Sequence, residues 1–230
     1  MYTVLAVIGF FFLLQVAVAR LEKRMVWPYG DPEAEPPFAD PSGYGGRWVG
    51  DAVQAGFNFL GWRRDLKGPK YQVCYGMLGS PERDCIVIVS FGTIFTMTIR
   101  STAIYTPATD GRVYCTTDNQ QAVEVDAYRR WRSQLISASA FPALLRQHRD
   151  FLRERGIAAQ PFTPGLEAQE FRTLREERYR AMGRRGLIAF TDRSASHWRY
   201  TMWGALKVAA LNYSIGLLRG MTGGRIPRSA

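Results

Sequence analysis

From Met1 to Ala19 the chain carries no charged side chain, and Thr3 and Gln15 are its clearly polar positions. About 20 mostly apolar residues suffice to cross a bilayer. In hydrocarbon such a run must be helical, because the backbone has to satisfy its own hydrogen bonds. The pattern predicts a transmembrane anchor over residues 1–19. Met-Tyr-Thr lacks the basic start of a secretory leader, and the apolar run is long for one, although Ala17-Val18-Ala19 fits a small-x-small cut site. Arg20, Lys23 and Arg24 follow at once, and cations there favour the cytoplasmic side. The expectation is a retained single-pass helix of the inner (plasma) membrane, amino terminus out, with Arg20, Lys23 and Arg24 as its membrane flank. The rest of the chain is then cytoplasmic.

Pro28 to Arg47 holds five prolines and four glycines, which suits an extended linker better than a helix or paired strand. Residues 20–47 are read as basic flank plus linker. In Trp48–Leu66, the positions Trp48, Ala52, Val53, Gly56, Phe57 and Leu60 share a helical side, while Gly50, Gly56 and Gly61 weaken the helix.

Strand patterns follow. YQVCYGML and CIVIVSFG flank the turn residues GSPERD. CIVIV is apolar throughout and predicts a central strand covered on both faces. TIFTMTIRSTAIYT places Phe95, Met97, Ile99, Ala103 and Tyr105 on one face and Thr96, Thr98, Arg100 and Thr102 on the other. That pattern predicts one half-buried strand. Thr109-Asp110-Gly111-Arg112 predicts a tight turn, and RVYCTT and QAVEVD complete a mostly antiparallel sheet of about five strands.

Helical spacing then takes over. Tyr128, Trp131, Leu135 and Ile136 predict one helix, capped by Asp126. Pro142 and Gly156 bound a second helix, and Thr163 with Pro164 open a third. A short hairpin and an apolar helix over Trp203–Leu218 end the pattern. Strands followed by helices predict an α+β domain. Residues 48–156 form its core, and 157–230 form the same domain or a small subdomain. Three readings of Trp203–Leu218 compete: core, interfacial or spanning. Lys207 near its middle opposes spanning.

Charge changes the picture in one respect. Residues 20–70 carry eight Lys/Arg and seven Asp/Glu, residues 71–126 three and six, and residues 127–230 nineteen and seven. The basic excess therefore lies in the carboxy-terminal half and calls for an anionic surface nearby. With an anchor, that surface is the lipid bilayer's inner leaflet.

The order of elements over Leu174–Leu211 is a basic helix, the short strand Leu187–Phe190, the turn Arg193–Ser196, a return strand from His197, and a helix from Thr201. This segment resembles the recognition helix, wing and closing helix of winged-helix DNA-binding domains. The resemblance covers about a sixth of the chain. It implies a nucleic-acid partner contacted through Arg175, Arg178, Arg184, Arg185 and Arg199. A wing can also contact protein, which makes the same arginines candidates for an acidic partner.

Catalytic chemistry has little to stand on. Cys74, Cys85 and Cys115 lack CxxC spacing and read as small apolar residues in strands, and no structural zinc or other cofactor is implied. His148 shares a helix face with Leu144, Leu145, Phe151 and Leu152 and reads as packed, while His197 reads as surface. Asp110, Asp118 and Asp126 read as turn and cap residues rather than cation ligands. No phosphate loop, nucleophile elbow or dinucleotide fingerprint occurs. The favoured function is a membrane-tethered interaction or scaffold domain with an unidentified protein partner, not an enzyme. A tethered nucleic-acid binder is the alternative, and an enzyme of unrecognised type the third.

Overall fold

A computed structural model describes residues 2–21, 24–25, 29–36, 38–40, 42–66, 71–94, 97–118, 131–136 and 138–210. The chain divides into two compact units. The larger comprises Pro28–Val123 and Arg129–Thr173, and the smaller Met1–Trp27, Glu124–Tyr128 and Leu174–Ala230.

The larger unit is α+β. Its sheet runs β2 (Tyr29–Glu33), β3 (Asn58–Leu66), β4 (Tyr71–Gly79), β5 (Ile86–Ile94), β6 (Met97–Pro107), β7 (Val113–Thr117) and β8 (Trp131–Leu135) in spatial order. Every neighbouring pair is antiparallel except β7 and β8, which are parallel. As the apolar run predicts, β5 is central, and Ile86 through Val89 are buried on both faces. One face packs Cys74, Leu78, Val87, Val89 and Ile104 against α2 (Tyr44–Gln54) and α3 (Phe141–Glu154). On the other, Tyr105 meets Trp131 and Phe171 with ring centroids 5.7 and 5.0 Å apart. Pro142 opens α3 where its missing N–H costs nothing, and Gly156 follows the helix at φ +62. The Asp110-Gly111 turn forms as predicted, with Asp110 Oδ1 accepting the Arg112 N–H at 2.9 Å.

Several expectations for this unit are corrected. The sheet has seven strands among the described residues, not about five. Residues 93–106 are not one strand, since β5 ends at Ile94 and pairs there with Met97 of β6. The alternation runs unbroken through the reversal, so no Gly, Pro or Asn betrays it. Within β6 the expected alternation holds at Thr98–Arg100, where Ile99 is half-buried between exposed neighbours, and fails at Ser101 to Ile104, which are all buried. Residues 131–135 form β8 rather than a helix; Trp131 is 2% exposed, and pairing with β7 overrides the helical spacing. Pro28–Arg47 contributes β2 and the start of α2. β2 tolerates Pro32 because it is an edge strand, where a lost donor breaks no ladder. Trp48–Leu66 splits into α2 and β3. QAVEVD and Asp126 lie outside the described residues.

The smaller unit holds α1 (Tyr2–Leu21), β1 (Arg24–Met25), α4 from Leu174 onward (the whole helix is Glu167–Arg184), β9 (Ile188–Phe190), β10 (His197–Tyr200) and a helix over residues 202–210, termed α5. Its sheet is antiparallel in the order β1-β10-β9. Val16 and Ala19 of α1 are buried with Tyr179, Met182, Ile188, Trp198 and Ala205. The carboxyl end of the apolar run thus packs a protein core. Among the described residues, no helix is long and apolar enough to cross a membrane. This overturns the single-pass anchor, and with it the inner-membrane placement with outward amino terminus. The inner leaflet as the anionic surface followed from the anchor and goes with it. The α+β description stands without a transmembrane helix. Of the apolar helix expected over Trp203–Leu218, residues 211–218 lie outside the described residues.

Candidate functional site

The hairpin of β9 and β10 is built around one carboxylate. Asp192 Oδ1 accepts the Ser196 N–H and the Ser194 hydroxyl, each at 2.9 Å. Its Oδ2 accepts the His197 N–H at 2.9 Å and the Ser196 hydroxyl at 3.1 Å, and lies 2.7 Å from His197 Nδ1. Ala195 supplies the left-handed residue the turn needs, at φ +53. Desolvation pushes the Asp192 carboxyl up, but the Ser196 N–H and the Ser194, His197 and Ser196 side chains outweigh it. Together they hold the group well below the usual carboxylate range. The turn is thereby braced, and Arg193 within it is exposed. Arg199 is exposed on β10, opposite exposed Ala189 of β9.

Serine, histidine and aspartate in one cluster suggest a nucleophile. The geometry says otherwise. Ser196 Oγ lies 3.0 Å from His197 Nδ1, the same ring nitrogen that meets Asp192. A relay needs the hydroxyl and the carboxylate on opposite nitrogens. The cluster is a turn brace, and His197, at 16% side-chain exposure, is partly covered rather than on the surface as expected.

The five candidate arginines separate. Arg184 and Arg185 are exposed where α4 ends, just before Gly186 at φ +67. With Arg199 they face solvent. Arg178 is 7% exposed and cannot serve as a surface phosphate contact. Arg175 is half-buried, with Nη2 donating to the Tyr179 hydroxyl at 3.2 Å and its guanidinium 5.9 Å from that ring. The structure adds Arg193, which in the sequence is only part of a polar turn. Of the expected membrane flank, Arg20 is exposed on α1, Arg24 sits in β1 opposite Trp198, and Lys23 lies outside the described residues.

In the larger unit, His148, Asp110 and Asp118 are each held by hydrogen bonds. His148 Nε2 lies 2.9 Å from Thr106 Oγ1 and Nδ1 2.7 Å from Thr116 Oγ1. Gln134 Nε2 donates to the same Thr116 oxygen at 2.7 Å. Burial lowers the imidazole pKa to about 4, so it is neutral near pH 7, the packed histidine that its helix face predicted. Asp110 braces its own turn, whereas Asp118 ties β6 to the start of α2. Asp110 Oδ2 accepts the Tyr114 hydroxyl at 2.9 Å, and Asp118 Oδ1 the Thr102 N–H at 2.7 Å. Among the described residues no group of His, Cys, Asp and Glu could hold a metal ion. Cys74, Cys85 and Cys115 are buried thiols outside any disulfide, and burial pushes Cys74 up to about 12 and Cys85 higher still. Such thiols are poor nucleophiles.

No family model, curated protein or solved structure matches the chain.

Proposed function

We propose that the chain is a binding or scaffold protein whose smaller unit docks an acidic protein segment on its basic hairpin. The observation that carries this reading is the Asp192 brace, which fixes the turn that bears exposed Arg193 and leads into β10, where Arg199 is exposed. Preorganised groups lose less entropy on binding, so they contribute more than mobile surface cations do. Residues 174–210 carry eight Lys/Arg against three Asp/Glu. Of those three acids, Asp192 is engaged in the turn and Glu176 pairs with Arg180 at 3.3 Å.

Nucleic acid is the second reading, favoured by the order α4, β9, β10, α5, which is that of a recognition helix, wing and closing helix. Against it, the part of α4 within the smaller unit carries Glu176 and Glu177 among its arginines. Carboxylates on a helix entering a groove would repel phosphates. The basic excess sits on the hairpin and the helix end, a small patch suited to a carboxylate-bearing segment.

Fluorescence anisotropy with a labelled oligoglutamate and a labelled DNA duplex tests the choice. Arg193→Glu/Arg199→Glu is expected to remove oligoglutamate binding. Undiminished binding in that variant would sink the proposal. Tighter duplex binding with a steep log–log salt slope would install the second reading.

A further inference from the structure

Met202 and Trp203 begin α5 and are 51% and 57% exposed. Their position is fixed from beneath. The Thr201 hydroxyl donates to the Gly186 carbonyl at 2.6 Å, the Thr201 N–H donates to the Leu187 carbonyl at 3.0 Å, and Thr201 Oγ1 accepts the Gly204 N–H at 3.1 Å. Gly204 itself lies against the Leu187 carbonyl, where a Cβ would have no room. The start of α5 is thus pinned to the chain just after Arg184 and Arg185, at the open end of the hairpin that carries Arg199. Lys207 Nζ lies 5.0 Å from the Trp203 ring centroid, within cation–π range.

An exposed tryptophan and methionine on a helix start pinned beside Gly186 and Leu187, with Lys207 over the tryptophan ring and exposed Arg184, Arg185 and Arg199 on the adjoining chain segments, have the composition of a binding hot spot. The charge identifies the occupant: the one acid of residues 182–210 is Asp192, and it belongs to the turn at the far end of the hairpin. We infer that the acidic segment is amphipathic, with an apolar or aromatic side chain on Trp203 and Met202 and its carboxylates on Arg184, Arg185 and Arg199. This deepens the proposed function and rests on it.

Two fluorescein-labelled peptides of equal charge supply the test, one of glutamate and serine, the other with leucine and phenylalanine in place of the serines. The second is expected to bind the full chain about tenfold more tightly. Trp203→Ala should erase that advantage and leave the glutamate–serine peptide unaffected, and Trp203→Phe should keep most of it. An advantage that survives Trp203→Ala, or none in the unaltered chain, overturns the inference and leaves the proposed function standing. Indifference of both peptides to Arg193→Glu/Arg199→Glu overturns both. Trp203-dependent binding to phosphatidylserine vesicles with none to either peptide, or a dimer dispersed by Trp203→Ala in light scattering, would also overturn it.

Discussion

The hydroxyl of Tyr44, first residue of α2, donates to Asp118 Oδ2 over 2.7 Å across 74 residues of sequence. Asp118 Oδ1 takes the Thr102 N–H, and Thr102 Oγ1 lies 2.8 Å from the same hydroxyl. One carboxylate beyond the end of β7 therefore holds both the neighbouring strand and the start of a helix. Burial raises the Asp118 carboxyl, opposed by the Thr102 N–H and the Tyr44 hydroxyl. Burial, then the Asp118 charge, pushes the Tyr44 hydroxyl far up, so it stays protonated as the donor.

Tyr44→Phe removes that donor and leaves a half-buried carboxylate short of a partner. The expected cost is about 1–3 kcal/mol of folding stability, read by urea unfolding with an unchanged slope. The pH dependence has a definite sign. A carboxyl raised on folding contributes stability that is present in acid, below its unfolded value, and lost as pH rises through its folded value. The Tyr44→Phe deficit should therefore be larger at pH 7 than in acid. A deficit independent of pH would show that the lost bond does not act through Asp118.

His148 behaves in the opposite sense. Its pKa falls from an ordinary 6.5 to about 4 on folding, so the unfolded chain binds the proton more readily. The stability tied to the neutral ring is present above about pH 6.5 and declines as pH falls toward 4. The span corresponds to a loss on the order of 3 kcal/mol. His148→Gln, which cannot ionise, should flatten that part of the stability curve relative to the unaltered chain, at some cost in absolute stability. Parallel curves for the two proteins between pH 4 and 6.5 would contradict the buried clamp between Thr106 and Thr116.

Where local pattern and tertiary placement agree, the sequence was informative. Ile86–Val89 are apolar in a row because β5 is central, and Pro142 and Gly156 bound α3 because caps are local chemistry. His148 could be placed in the core from its helix face alone. Misreadings arose where distant partners decide. Trp131 and Leu135 have helical spacing, but β7 offers a ladder that no nearby residue announces. The β5–β6 reversal hides inside an unbroken alternation. Val16 and Ala19 look like lipid-facing residues until Tyr179, Met182 and Trp198, far along the chain, are seen to cover them. The candidate surface was half legible. Exposed Arg184, Arg185 and Arg199 are legible in the basic segment, whereas Arg178 is buried by packing that spacing does not reveal. Arg193 gains importance only through the Asp192 brace, although Asp-x-Ser-x-Ser-His gives a local hint of a braced turn.

Asp192→Asn separates rigidity from net charge. The substitution makes the hairpin more basic, so charge alone predicts tighter binding of an acidic peptide. It also leaves one carbonyl oxygen where two carboxylate oxygens accept N–H groups from Ser196 and His197 and hydroxyls from Ser194 and Ser196. The amide placed in the carboxylate's stead points N–H toward N–H. The turn should open, exposing Ser196 and His197 amides to faster hydrogen exchange and freeing Arg193 from its fixed position. Oligoglutamate affinity is then expected to fall several-fold despite the added positive charge. Tighter binding with unchanged exchange would mean that summed charge governs the surface and that the brace is incidental. The carboxyl is depressed on folding, so the brace is complete above the ordinary carboxylate value of about 3.9 and is lost only as pH falls below it. Binding by the unaltered chain should therefore not weaken through failure of the turn between pH 7 and about 5, a range in which glutamate peptides remain largely charged.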